Sequence, residues 1–79
     1  MTSGGFYREQ KSYPHAHPLV RQFFEIAHRQ GKSLQRIADV AGLSRASLHY
    51  WGVRGHPSIG NFEAAANVLG YEIVLQKMR

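Results

Sequence analysis

Ser33-Leu-Gln-Arg-Ile-Ala-Asp-Val-Ala-Gly42-Leu43-Ser44-Arg-Ala-Ser-Leu-His-Tyr-Trp51 is the stretch that decides how this chain folds. Ser33 and Ser44 are N-cap residues, each offering a side-chain oxygen to free N–H groups at a helix start. After Ser33, the residues Leu34, Ile37, Ala38 and Ala41 recur at helical spacing and form one apolar face. After Ser44, Leu48 and Trp51 do the same. Between the two runs stands Gly42, which can take the positive φ that a tight corner needs. Leu43 then plugs that corner, and Ala38 is small where the two helices cross. The stretch therefore predicts two short helices meeting at a glycine turn.

Working outward, Pro18 suits the first turn of a preceding helix, where its missing N–H costs nothing. Leu19, Phe23, Ile26 and Ala27 mark the inner face of that helix, and Val20 and Phe24 widen it. Gly31 stops it. Beyond Trp51, Gly-Val-Arg-Gly-His-Pro (residues 52–57) reads as a loop. Ser58 caps a further helix with Ile59, Phe62, Ala65, Ala66 and Leu69 facing inward, and Gly70 closes it. Residues 71–76 (Tyr-Glu-Ile-Val-Leu-Gln) are β-branched and aromatic-rich, which predicts a strand. Residues 1–17 lack usable periodicity and read as a flexible tail or a DNA-following arm. The organisation expected is a tail over 1–17, a helical domain over 18–70 and a C-terminal strand over 71–79.

Composition narrows the function. The 79 residues carry 10 Lys and Arg against 5 Asp and Glu, a formal charge of +5, which points to an anionic partner and most simply to nucleic acid. The surplus is concentrated. Arg29, Lys32, Arg36, Arg45 and Arg54 face only Asp39 between residues 29 and 54, a local +4 (5 minus 1). With no cysteine, a disulfide scaffold, a thiolate zinc site and a cysteine nucleophile are excluded. His15 and His17 lack a third ligand at suitable spacing, so no metal site is expected. No carboxylate pair, nucleophile motif or phosphate loop is evident, so neither catalysis nor a cofactor is expected. The longest aliphatic run is Ile73-Val74-Leu75, and the first residues lack a signal peptide's apolar core. A cytoplasmic, nucleoid-associated protein with no membrane partner is the expectation.

The central stretch has the pattern of a helix-turn-helix, and the chain resembles the phage Cro and repressor family, also called XRE-type regulators. The resemblance runs over residues 18–70. It is carried by Gly31, Ser33, Leu34, Ile37, Ala38, Gly42, Leu43, Ser44, Leu48 and Trp51, and then by Pro57, Ser58, Ile59, Phe62, Ala66, Leu69 and Gly70. The chain departs from the family at Lys32, where an aliphatic residue is frequent. It departs again at 52–56, where many members carry Glu-Asn-Gly, and at Leu34-Gln35, where many carry a phosphate-contacting Gln one place earlier.

The resemblance implies a mainly α, four- to five-helix lambda-repressor-like domain whose second motif helix, 44–51, reads bases. Arg45, Ala46, Ser47, His49 and Tyr50 are the base-contacting candidates, with Arg45 suited to a bidentate contact with guanine. Ser33, Gln35, Arg36, Ser44, Arg54 and His56 are the phosphate candidates, with Arg29 and Lys32 beside them. A lone strand leaves its N–H and C=O groups unpaired, so a second copy is expected to pair with it across a two-fold axis. Tyr71, Ile73, Val74 and Leu75 would form that homodimer interface. The function implied is a repressor on an inverted-repeat operator in double-stranded DNA. The alternative is an antitoxin that binds a toxin protein and regulates its own operon.

Overall fold

The computed structural model describes residues 16–78. Four helices follow one another: α1 (Pro18–Arg29), α2 (Leu34–Ala41), α3 (Arg45–Val53) and α4 (Ile59–Val68). Among the described residues there is no strand. The fold is mainly α, as expected. The expected tail falls largely on residues 1–15, which lie outside the described residues.

Three serines start three of the helices in the same way. The Oγ atoms of Ser33, Ser44 and Ser58 accept from the backbone N–H of Arg36 (3.1 Å), Ser47 (3.1 Å) and Asn61 (3.2 Å). Each satisfies a donor that a helix start leaves orphaned. The start of α1 differs, because His17 Nδ1 accepts from Leu19 N–H at 3.0 Å. Ala16 is also buried, so the packed domain begins before Pro18.

Gly42 turns the corner after α2 with φ +77°. Its N–H and that of Leu43 both reach the Ala38 carbonyl, the latter at 2.9 Å. Leu43 is thereby laid, partly buried, against the core. At this corner α2 packs on α3, and α2 also packs on α4.

The core joins all four helices. Ile37, Ala38, Leu48 and Ala65 are fully buried, and Val20, Phe23, Phe24, Ile26, Ala27, Trp51 and Leu69 almost so. Phe23 of α1, Trp51 of α3 and Phe62 of α4 form a closed triangle of edge-to-face rings. Their centroids are 6.0 Å apart (23–51), 5.8 Å (23–62) and 6.0 Å (51–62). Such pairs add about 0.5–1.5 kcal/mol each beyond the area they bury. The inner side of α3 is thus held by rings from two other helices.

Four expectations change. Ile59 is 80% exposed and Leu19 49% exposed, although both sit at core spacing. Both occupy the first turn of their helices; Leu19 stands between buried Ala16 and Val20 and borders a cleft instead of the core, and Ile59 is the first residue of α4. Gly52 belongs to α3 and not to the loop: it is buried, and α3 continues to Val53. The packing of Leu48 and Trp51 offsets the roughly 1 kcal/mol that glycine costs inside a helix. Residues 71–78 carry neither helix nor strand. A strand is made by an edge partner, and no described segment offers one.

What directs that last segment is the end of α4. Gly70 takes φ +87°, and Tyr71 N–H bonds back to Ala66 C=O at 3.0 Å. The chain then runs along a cleft of about 400 Å³ bounded by Leu19, Phe23, Ile26, Phe62, Leu69 and Ile73.

Candidate nucleic-acid interface

α3 divides cleanly along its length. Leu48, Trp51 and Gly52 are buried, whereas Arg45, Ala46, His49, Tyr50 and Val53 are exposed. At 3.6 residues per turn the exposed set occupies one continuous side of the helix. The division follows from the capping serine and the ring triangle. Ser44 fixes where the helix begins, and Trp51 fixes which side turns inward. Arg45 is the first residue of the helix and stands at its open N-terminal end.

Ser47 is placed differently from its neighbours. It is half-buried, and its Oγ lies 2.8 Å from Ser44 Oγ. The two hydroxyls form one capping group at the start of α3. Tyr50 is 51% exposed, and its ring covers Gly55.

The phosphate candidates lie at the start of α2, at the start of α3 and just past its end. Ser33, Gln35 and Arg36 lie on the cap and first turn of α2 and are exposed. Gln35 Nε2 donates to Asp39 Oδ1 at 2.8 Å, which occupies the only acidic side chain between residues 29 and 54. Arg54 and His56 are exposed on either side of buried Gly55. Arg29 is exposed at the end of α1.

Lys32 has another task. Its Nζ donates to Val68 C=O at 3.0 Å, while Gln30 Nε2 donates to Leu69 C=O at 2.9 Å. Together they satisfy carbonyls that the end of α4 leaves without helical partners, and the Lys32 charge meets the negative end of the helix dipole. This explains a lysine where an aliphatic residue is frequent in the resembled family. The pattern gave no signal for it, because its partner is 36 residues away.

The C-terminal candidates are split. Ile73 is half-buried, whereas Tyr71, Val74 and Leu75 are exposed, Leu75 completely. Met78 is exposed beside them. No group of His, Cys, Asp or Glu suited to a metal ion occurs among the described residues. No helix among them is long and apolar enough to cross a membrane. The chain matches no family model, no curated protein and no solved structure.

Proposed function

We propose that this chain is a sequence-specific DNA-binding transcriptional regulator, a helix-turn-helix protein of the Cro/repressor-like, XRE type. The observation that carries this reading is the two-sidedness of α3: an inner side fixed by Leu48 and Trp51, and an outer side with Arg45, Ala46 and His49 exposed and no acidic residue. A rigidly mounted helix with a basic, open N-terminal end is what major-groove readout requires.

In this reading Arg45 donates to guanine O6 and N7, Ala46 meets a thymine methyl, and Ser47 and His49 reach bases or phosphate. Ser33, Gln35, Arg36, Ser44, Arg54 and His56 contact the sugar–phosphate backbone and set the register. Lys32 is left out of this set because its ammonium is held at α4.

The protein acts as a homodimer, with Tyr71, Ile73, Val74 and Leu75 pairing across the two-fold axis. Val74, Leu75 and Met78, all exposed within five residues, support a partner on this segment, since clustered exposed apolar side chains mark interaction surfaces. The mechanism is repression in the cytoplasm, at the nucleoid: a dimer on an inverted repeat excludes polymerase. The same exposed segment would serve an antitoxin in holding a toxin, which is the second reading.

Selection of bound duplexes from a random pool by the purified chain tests the proposal. The expected product is an inverted repeat whose half-sites lie about 34 Å apart. Recovery of unrelated sequences without a shared motif would leave a nonspecific DNA-coating protein. Failure to retain any duplex would remove the DNA-binding reading altogether.

A further inference from the structure

Gly55 is buried, and its backbone passes directly beneath the ring of Tyr50. A Cβ at residue 55 would run into three ring atoms of Tyr50: Cε2, Cδ2 and Cζ. The residue is glycine for want of space and not for its backbone angle, because it is not among the positive-φ glycines. The Tyr50 carbonyl accepts from both Arg54 N–H (3.0 Å) and Gly55 N–H (2.9 Å), so the chain folds back around Tyr50 as α3 ends.

We infer that Gly55 is a positioning residue for Tyr50, and that the ring it seats makes a sequence-independent contact with the sugar–phosphate backbone and does not read a base. This rests on the DNA-binding reading above. The ring is folded onto the loop that carries Arg54 and His56, both exposed phosphate candidates. A phenol held there has the right chemistry for the DNA backbone. Its apolar face packs on deoxyribose, and its hydroxyl donates to phosphate. Seating the ring in advance also removes rotamer freedom that binding would otherwise have to remove. Tyr50 thereby leaves the base-reading set and joins Arg54 and His56.

The test measures the affinity of the full-length chain for a selected duplex and for a scrambled duplex of equal length. Tyr50→Ala, Gly55→Ala and the double variant are compared with the parent. Each single variant is expected to weaken both duplexes by the same factor, about three- to tenfold, leaving their ratio unchanged. The double variant is expected to bind no more weakly than Tyr50→Ala, because Gly55 acts only through the ring. A loss confined to the selected duplex in Tyr50→Ala would overturn the inference, as would no loss on either. So would a Gly55→Ala effect that persists undiminished in the Tyr50→Ala chain. Should Gly55→Ala prevent folding, Tyr50→Ala still decides by the same two duplexes. A parent that does not prefer the selected duplex defeats the sequence-specific reading, and one that binds neither duplex defeats DNA binding itself; both are distinguishable because they are seen before any variant is made.

Discussion

Residues 33–54 and residues 71–78 are both short stretches with apolar residues at regular spacing, yet one is fully organised and the other has no regular structure. In the first, every helix start is capped by its own serine, the corner is made by Gly42, and Leu48 and Trp51 reach a core shared with α1 and α4. In the second, only Ile73 is half-buried, and Leu75 is open to water. The difference is one of hydrogen-bond accounting. A helix satisfies its own backbone and needs a neighbour only for its apolar side. A strand satisfies nothing until another strand lies beside it. The first region is complete within one chain, and the second carries no regular structure; in the proposed dimer a partner strand would complete it.

That contrast can be broken or sharpened by experiment, starting where the effect is largest. Leu48→Ala, in the fully buried centre of α3, is expected to cost about 2–5 kcal/mol in urea unfolding. A loss below about 1 kcal/mol would mean that α3 is not held from its inner side. Arg45→Ala should leave unfolding unchanged but cost about 1–3 kcal/mol of binding to the selected duplex, with the loss concentrated at one base position. If affinity for selected and scrambled duplexes falls equally, Arg45 is a phosphate contact instead. The last test belongs to the other region. A chain ending at Gly70 should sediment as a monomer where the parent sediments as a dimer, and only the parent's unfolding midpoint should rise with protein concentration. An unchanged dimer would move the interface elsewhere.

The helices were legible because their signals are local. Ser33, Ser44, Ser58, Gly42 and Gly70 act on groups within a few residues, and spacing picked out Phe23, Ile37, Leu48, Trp51 and Ala65 as core. Periodicity failed in the first turns of two helices, at Leu19 and Ile59, because spacing groups residues on one side of a helix but does not give which of them a neighbouring segment covers. It also failed at Gly52, where tertiary packing carried the helix past a poor helix former. At the candidate site, the open side of α3 was legible from Arg45, Ala46 and His49. The seat of Tyr50 on Gly55 and the engagement of Lys32 were not, because both depend on distances between segments that only the folded chain brings together. His17 as an N-cap was missed for a simpler reason: histidine is rarely found in that role.

The two hydrogen bonds from Gln30 and Lys32 to the end of α4 span 39 and 36 residues. They tie the chain just before α2 to the chain just after α4, so the proposed reading surface and the loop at 54–58 lie inside a closed circuit. Entropy of closure grows only slowly with length, about 0.6 kcal/mol for each doubling of a flexible loop. Insertions or exchanges in that loop would therefore barely loosen the tie. The surface proposed to meet DNA therefore sits on a frame whose closure depends little on the length of the loop it carries, although Gly55 within that loop is fixed by the Tyr50 ring.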